Sequence, residues 1–275
     1  MAPEEGAAGR TLMLVGCGKM GSALLRGWIA SRAATRFAVV EPEGLPPDLA
    51  ATAGVAGYRS PDEVPEERAP AAIVFAVKPQ IVDDLLPGYR RWGQPQTLFV
   101  SIVAGKTIAG MSRRLGEVSL VRTMPNTPAA IGRGITVACA NERVTDEQRR
   151  LCDQLLAAVG ESAWVEDESL LDAVTAVSGS GPAYVFLLIE ALAQAAEASG
   201  LPPELALRLA RATVAGSGEL ARLSSETPEQ LREAVTSPGG TTRAALDVLM
   251  ADDGLIPLIK RAVTAAAARS RELAS

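Results

Sequence analysis

Short apolar runs alternate with amphipathic stretches from Thr11 to about Trp164. The runs are rich in β-branched residues and predict strands, with a helical pattern over 19–31 after the first of them. The predicted strands cover residues 11–16, 36–41, 71–77, 96–104 and 119–124. Because these runs are nearly continuous and do not alternate with polar residues, they indicate a parallel sheet with helices on both faces.

Strand patterns stop after about Glu168, and helical spacing continues to about Leu273. Pro182, Gly200 and Thr227 mark helix boundaries, because they suit a first helical turn, a position just past a C-terminus and an N-cap. The pattern predicts an α/β fold class, with an α/β domain over 11–166 and an all-α domain over 167–275. Apolar residues on several faces of these helices predict that a second copy of the chain completes the helical domain.

Composition narrows the possible functions. The chain is 48% hydrophobic and 21% charged, and its net charge of −5 argues against nucleic acid as a partner. The sequence has no histidine and no CxxC pair, so no metal site is expected, and three separated cysteines fit a reducing cytoplasm. Residues 1–10 lack the apolar core of a signal peptide and predict a loose tail. We expect no membrane span, because no apolar run reaches about 18 residues.

A glycine motif lies between the first predicted strand and the first predicted helix. Gly16, Gly18 and Gly21 have the GxGxxG spacing, which gives a tight turn, close approach of the backbone to a pyrophosphate and close helix–strand packing. In this position the motif predicts that the first domain is a Rossmann-type dinucleotide-binding domain. The alternative is a glycine-rich turn that serves packing alone.

An acidic residue, Glu41, ends the second predicted strand, 20 residues after Gly21. A carboxylate at this point binds a ribose 2′-hydroxyl and repels a 2′-phosphate, so it favours NADH over NADPH. Arg36 or Arg59 could still reach a 2′-phosphate, and Glu41 could also be a solvated acid at a strand end.

Polar or small residues follow three later strands. These are AVKPQ over 76–80, SIVAG over 101–105, and MPNTP over 124–128 with Asn126 and Thr127 as polar tips. Each could be structural on its own. Since parallel strands end on one edge of the sheet, the three together predict a crevice that holds a cofactor.

The segment TSPGGTTRAAL over 236–246 combines hydroxyl side chains and two glycines ahead of an amphipathic helix. Such a loop can direct backbone amides at one point and bind a carboxylate, with Thr242 beside it. The alternative is a simple N-cap with a glycine-rich linker. A second stretch, SGSG over 178–181, interrupts two predicted helices and suggests a turn near a subunit contact.

These motifs resemble those of Δ1-pyrroline-5-carboxylate reductases. The most specific segment is LREAVTSPGGTTRAALDVL over 231–249, and VGCGKMG, FAVKPQ, VRTMPNTP and DAVTAVSGSGPAY occur in the family's order. The resemblance extends from Leu12 to about Leu273. It implies reduction of Δ1-pyrroline-5-carboxylate to L-proline by NADPH or NADH. It also implies a homodimer with interwoven helical domains, often assembled into a decamer.

The strand-end positions and the resemblance together indicate which residues form the site. The cofactor would be bound by Gly16, Cys17, Gly18, Lys19, Met20, Gly21, Glu41, Ala76, Val77, Lys78, Pro79, Ala104 and Asn126. The substrate would be bound by Glu168, Ser237, Gly239, Gly240, Thr241 and Thr242. Glu41 and Pro42 depart from family members that hold a 2′-phosphate with a small hydroxyl or a basic residue.

The absence of histidine is compatible with this reaction. A cyclic imine can be protonated on nitrogen near neutral pH, and its carbon is then already electrophilic, so no strong acid is needed. The protein must hold the carboxylate, aim the imine carbon at the nicotinamide and exclude water. We expect the amides of 240–242 to bind the carboxylate, and Thr242, the catalytic candidate, to hydrogen-bond the ring nitrogen.

Two other functions remain open on the sequence. A β-hydroxyacid dehydrogenase has a similar domain order but needs a catalytic lysine in its helical part, where this chain has only Lys260. A dinucleotide-dependent sensor could keep the fold without catalysis. The intact loop over 237–242 argues against loss of activity.

Overall fold

The computed structural model describes residues 9–65 and 69–274. Within them, eight strands form one sheet. They are β1 Thr11–Val15, β2 Arg36–Val40, β3 Val55–Tyr58, β4 Ala72–Phe75, β5 Leu98–Ser101, β6 Ser119–Met124, β7 Gly134–Ala140 and β8 Gly160–Trp164. Residues 1–8 of the predicted loose tail lie outside the described residues.

The sheet has the strand order β3-β2-β1-β4-β5-β6-β7-β8. All five predicted strands are present, and they pair in the parallel sense with their neighbours from β3 to β6, so the predicted parallel sheet is confirmed there. β7 runs antiparallel to β6, and β8 runs parallel to β7. Chain order reverses at β1, which places a crevice outside the carboxyl ends of β1 and β4.

The described helices follow the predicted pattern closely. They are α1 Lys19–Ser31, α2 Pro47–Ala50, α3 Pro79–Leu85, α4 Ile108–Leu115, α5 Asp146–Ala157, α6 Leu170–Val174, α7 Gly181–Ala198, α8 Pro203–Leu223, α9 Pro228–Ala234, α10 Thr241–Leu249 and α11 Leu255–Ala274. Short 3₁₀ turns cover Pro61–Glu63, Leu86–Trp92 and Thr127–Ile131. Thr227 caps α9 in a capping box with Gln230, and Gly200 has a φ of 94° beyond the end of α7.

Helices cover both faces of the sheet with apolar side chains. On one face, Trp28 of α1 packs beside Leu155 of α5 and donates its indole N–H to the Leu155 carbonyl at 2.9 Å. On the other face, Met111 and Leu115 of α4 join Tyr89 in a separate cluster. Burial of the strands on both faces explains their continuous apolar sequences.

The predicted interruption at SGSG takes the form of a change in helix type. Thr175–Gly179 forms a π-helical turn after α6, and Ser180 is a bend that precedes the start of α7 at Gly181. Small residues permit this geometry at Gly179, where an added Cβ would overlap the Cε of Met124. π-Turns of this kind occur often at functional sites.

One helical segment bears on the membrane prediction. Among the described residues, Leu170–Ala198 is long and apolar enough to cross a membrane by length and composition, and little of it is buried. The expectation of no membrane span stays a prediction. A helix that packs against a second protein surface has the same composition, so this single segment does not indicate a membrane by itself.

The chain forms two compact units. The first contains the described residues up to Gly179 together with those from Ala267 onward, and the second runs from Ser180 to Ala266. Residues 167–179, which we assigned to the helical domain, lie in the first of these units. The boundary between residues 166 and 167 remains a prediction.

Candidate active site

The glycine turn after β1 meets the steric conditions for a dinucleotide. Gly16 has a φ of 92°, and a Cβ there would lie 2.7 Å from the Ala76 carbonyl oxygen. A Cβ on Gly21 would overlap the Gly16 carbonyl oxygen, whereas no atom lies within 4 Å of a Cβ placed on Gly18. Two of the glycines are therefore required for packing, and Gly18 leaves open space for the close approach of a pyrophosphate.

The N-terminus of α1 is available to an anion. Gly18 is its N-cap and provides no side-chain cap, so the amides of the first turn point out of the helix without a side-chain acceptor. Lys19 is exposed at the first helical position, and Lys78 is exposed at the N-cap of α3. Neither ammonium forms an ion pair with any residue that the structure describes, so both are available to phosphate oxygens.

Glu41 lies over this turn. Its Oε2 accepts a hydrogen bond from the Cys17 backbone amide at 2.7 Å. Burial and then the charge of Glu41 raise the pKa of the Cys17 thiol, so this cysteine stays protonated at neutral pH. The carboxylate is thereby fixed at the end of β2, where the ribose of a dinucleotide binds.

A pocket of about 510 Å³ opens beside Glu41. Its lining includes Tyr58 and the exposed Arg59 at the end of β3. Arg36, the other arginine considered for a 2′-phosphate, lies at the start of β2 and donates to the Thr11 hydroxyl and the Gly9 carbonyl. Arg36 is therefore held at the opposite end of its strand, and Arg59 is the arginine of the two that lines the pocket.

The loops after β4 and β5 lie on the same edge of the sheet as the glycine turn. The Ala76 amide donates to the Val15 carbonyl at 2.8 Å, and the Ile102 amide donates to the Phe75 carbonyl at 3.1 Å. Ala104 is exposed and Ala76 is half-buried. The structure thus brings together the predicted cofactor residues that follow β1, β2, β4 and β5, including Val77 and Pro79 beside Lys78.

Asn126 has a structural role in the loop after β6. Its Oδ1 accepts from the Ile135 amide at 3.0 Å, and its Nδ2 donates to the Ser178 hydroxyl at 3.2 Å. The side chain therefore connects this loop to β7 and to the π-helical turn. One amide hydrogen remains for a cofactor.

Glu168 forms an ion pair and a hydrogen bond with residues of the first unit. Its Oε1 accepts from the Arg122 guanidinium at 2.7 Å and from the Ile108 amide at 2.8 Å. The Arg122 side chain is 7% exposed and that of Glu168 is 27% exposed. No residue in the described part of the chain donates to Oε2 of Glu168. The pair therefore connects β6, the start of α4 and the segment before α6.

The hydroxyl–glycine loop lies in the second unit. Gly239 has a φ of 67°, and a Cβ on Gly240 would overlap the Ser237 hydroxyl. Gly240 is the N-cap of α10 and provides no side-chain cap, unlike Thr107 of α4, Thr145 of α5 and Thr227 of α9. Thr241 is exposed and Thr242 is half-buried in the uncapped first turn. The loop can therefore present amides and hydroxyls to a carboxylate.

Sequence reasoning missed Arg122 and the amide of Ile108. The signal for Arg122 was present, because a lone arginine inside an apolar strand has to find a buried partner. The signal for Ile108 was absent, because 60 residues separate this backbone donor from Glu168.

Two family models match the chain. The model for pyrroline-5-carboxylate reductase dimerisation matches residues 168–273, and the model for NADP oxidoreductase, coenzyme F420-dependent, matches residues 11–105. These ranges correspond to the helical region and to the part of the sheet that carries the glycine turn.

Curated relatives match almost end to end. The pyrroline-5-carboxylate reductase of Pisum sativum is 40% identical over 265 residues, covering 96% of each chain. That of Synechocystis is also 40% identical, covering 95% of this chain and 97% of the relative.

Solved structures of such enzymes share the fold. The pyrroline-5-carboxylate reductase of Coxiella burnetii has a TM-score of 0.87 at 34% identity, covering 96% of this chain and 98% of that chain. The pyrroline carboxylate reductase of Plasmodium falciparum, solved with NADP bound, has a TM-score of 0.82 at 30% identity, covering 98% of this chain and 100% of that chain. With its glycine turn, its hydroxyl–glycine loop and these full-length matches, the chain belongs to the pyrroline-5-carboxylate reductase family.

Proposed function

We propose that this protein reduces Δ1-pyrroline-5-carboxylate to L-proline, the final step of proline biosynthesis, with NAD(P)H. The observation that carries the proposal is the glycine turn, where Gly16 and Gly21 are required for packing while Gly18 leaves room for a ligand. That arrangement occurs in a chain that belongs to this family of reductases along nearly its whole length.

The first unit holds the dinucleotide. The amides of the turn would hold the pyrophosphate, and Lys19 and Lys78 would neutralise its charge. Glu41 receives the adenosine ribose, and the small residues Ala76 and Ala104 leave space along the crevice. The further cofactor residues are Cys17, Met20, Val77, Pro79 and Asn126.

NADH is the preferred cofactor. Glu41 is fixed by the Cys17 amide, so its negative charge stays where a 2′-phosphate would have to lie. Arg59 lines the same pocket, and its side chain limits the preference because it can offset part of that repulsion. We therefore expect the protein to prefer NADH but still to use NADPH.

The loop Ser237–Thr242 holds the substrate. The carboxylate accepts hydrogen bonds from the uncapped amides of Thr241 and Thr242, since the Gly240 amide already donates to the Ser237 carbonyl at 3.1 Å. The hydroxyls of Ser237 and Thr241 surround it. The positive φ of Gly239 lets the loop turn toward the helix start. Thr242 hydrogen-bonds the ring nitrogen and sets the position of the imine.

The chemistry needs little from the side chains. NAD(P)H, when bound, would supply a hydride to the imine carbon. The nitrogen carries one proton beforehand, and the electron pair of the C=N bond becomes the lone pair of the amine. Thr242 holds the nitrogen in position, and the amides hold the carboxylate, so the reacting carbon keeps a fixed orientation.

The protein acts as a homodimer in the cytoplasm, with helical domains that interweave and with further assembly to a decamer possible in this family. Support comes from the dimerisation family match over 168–273 and from the many exposed apolar side chains of α7, α8, α10 and α11. No membrane or nucleic acid is required for the reaction. All three cysteines are free, as a reducing compartment allows.

Turnover with a defined substrate tests the function. Purified protein is mixed with Δ1-pyrroline-5-carboxylate and either NADH or NADPH, and the loss of absorbance at the nicotinamide band is followed with L-proline measured as product. We expect turnover with both cofactors and a higher kcat/KM with NADH. Absence of proline formation with both cofactors would overturn the proposal.

Thr242→Ala tests the assigned catalytic residue. Loss of one positioned hydrogen bond to the reacting group costs about 2–4 kcal/mol, so kcat/KM should fall about 30- to 1000-fold. Thr242→Ser keeps a hydroxyl and should recover most of the activity. Full kcat/KM in Thr242→Ala would refute the role of this hydroxyl.

A further inference from the structure

The loop Ile102–Thr107 between β5 and α4 carries Ala104, which is expected to line the nicotinamide end of the crevice. Its start is fixed by Ser101, whose hydroxyl accepts from the Val103 amide at 3.2 Å and whose carbonyl accepts from the Thr123 hydroxyl at 3.0 Å. Its middle is held by Lys106, which pairs with Asp83 of α3 at 2.7 Å. Several separate contacts therefore hold this loop in one shape.

The end of the loop is held by Glu168. Thr107 is the N-cap of α4 and accepts from the Gly110 amide at 3.0 Å, but it leaves the amide of Ile108 without a cap. Glu168 supplies that acceptor from 60 residues away, at 2.8 Å. A carboxylate in this position is also stabilised by the dipole of the helix.

Arg122 fixes the carboxylate in turn. It lies opposite Ser101 in the β5–β6 pairing, so it stands level with the end of β5. Its side chain is 7% exposed, and a buried guanidinium without a counter-charge is strongly unfavourable. The ion pair therefore fixes Glu168 beside the helix start, with both hydrogen bonds directed at Oε1.

We propose that Glu168 is a positioning residue which, through the Ile108 amide and the Arg122 guanidinium, holds the loop Ile102–Thr107 in the shape that receives the nicotinamide. This inference rests on the proposed function, and it differs from a direct contact between Glu168 and the substrate. Glu168 acts on cofactor binding and on the aim of the hydride. It does not recognise the imine.

Cofactor binding to the free enzyme separates the two roles. The Kd of NADH is measured by nicotinamide fluorescence without substrate, alongside kcat and the KM of Δ1-pyrroline-5-carboxylate. Glu168→Ala should raise the Kd of NADH and lower kcat, each about 10- to 100-fold, because small displacements of a reacting group are costly. Glu168→Gln, whose amide oxygen can still accept from Ile108, should recover part of the loss.

Glu166→Gln is the matched control. Glu166 lies two residues away, has an 85% exposed side chain and pairs with Arg149 at the surface. Glu166→Gln removes the same charge as Glu168→Gln but leaves the contacts of the loop Ile102–Thr107 unchanged, so the Kd of NADH should not change.

Ile108→Pro removes the backbone donor together with the isoleucine side chain, which packs against two apolar clusters. Proline is tolerated at the first position of a helix, and Thr107 before it already has φ −82° and ψ 156°, which a following proline accepts. Ile108→Ala shortens the side chain and keeps the N–H. Ile108→Pro should weaken NADH binding more than Ile108→Ala does, and this difference should vanish when Glu168→Ala is also present.

Three outcomes would overturn the inference. The first is a raised KM for the pyrroline with an unchanged Kd of NADH in Glu168→Gln, which would indicate direct substrate contact. The second is a lower melting temperature with unchanged Kd and kcat, which would indicate stability alone. The third is equal NADH binding in Ile108→Pro and Ile108→Ala. The third outcome and every Kd of NADH are measured without pyrroline turnover, so failure of the proposed function would be seen separately.

Discussion

The two compact units differ in how they bury their apolar side chains. In the first, the strands and the helices that cover them enclose large residues such as Trp28, Phe75 and Phe99 almost completely. In the second, the buried apolar residues are alanines, Ala193, Ala206 and Ala210, among those that the structure describes. Many large apolar side chains there, such as Phe186 and Leu187, remain exposed. The first unit contains its own core, whereas the second presents an apolar surface that a single chain does not cover.

In the proposed dimer, this difference identifies the second unit as the part of the chain that would depend on a second copy. The apolar helices resemble half of an interface core, as obligate dimers show. The loop Ser237–Thr242, which we propose binds the substrate, lies in this second unit, so the proposed dimer would also support that loop. The sheet and its glycine turn need no such help.

The largest expected effect comes from charging the exposed surface of α7. Leu187, 63% exposed in the single chain, is replaced in Leu187→Asp. Burial of one such side chain contributes about 1.5–3 kcal/mol and the dimer contains it twice, so the dimer should weaken at least about 100-fold. Light scattering after size-exclusion chromatography over a range of concentrations measures the change.

Ile131→Asp serves as its control. Ile131 is 78% exposed and belongs to the first unit, so the same substitution there should leave the dimer intact. Dissociation of the dimer in both variants, or in neither, would contradict the conclusion that the second unit forms the dimer interface and the first does not.

The glycine turn allows a sharper test inside the first unit. Gly21→Ala forces a Cβ onto the Gly16 carbonyl and should lower the free energy of unfolding by about 1–3 kcal/mol. Gly18→Ala has open space around its Cβ and should melt at the wild-type temperature while binding NADH at least about tenfold more weakly. Calorimetry and fluorescence titration measure the two quantities. Normal NADH binding by Gly18→Ala would contradict the assignment of that space to the pyrophosphate.

The smallest expected effect concerns cofactor preference. Glu41→Ser removes the charge beside the ribose, so the ratio of kcat/KM for NADH over NADPH should fall about tenfold or more, with no change in the dimer. Glu43→Ser, at an exposed position two residues further on, should leave the ratio unaltered. A preference for NADPH in the wild type would contradict the role given to Glu41.

The sequence predicted the central strands of the sheet better than the strands toward its two edges. β1 and α1 were predicted almost to the residue, because continuous apolar runs and a glycine turn leave few alternatives. β3, β7 and β8 were missed. β3 is four residues long and contains Gly57, and β8 has the largely exposed sequence GESAW, so neither carries a strong apolar pattern. β7 runs antiparallel and breaks the strand–helix alternation that the other strands follow.

In the site, contacts between residues close in sequence were predicted, and contacts between distant residues were not. The glycine turn is local, so its spacing alone indicated its role. The hydrogen bond between Glu41 and the Cys17 amide joins residues 24 apart, and the pair Arg122–Glu168 joins residues 46 apart. Such partners depend on strand order and register, which a single sequence does not display.

The path of the chain through the two units has one more consequence. Residues up to Gly179 and those from Ala267 belong to the same unit, so the second is an insertion with two covalent connections. The returning segment is held there by Ser270, whose hydroxyl donates to the Asp172 carboxylate at 2.6 Å. During synthesis, a ribosome must therefore make the whole of the inserted unit before the first unit can receive its last helical segment, so maturation of the first unit waits for the second to be translated.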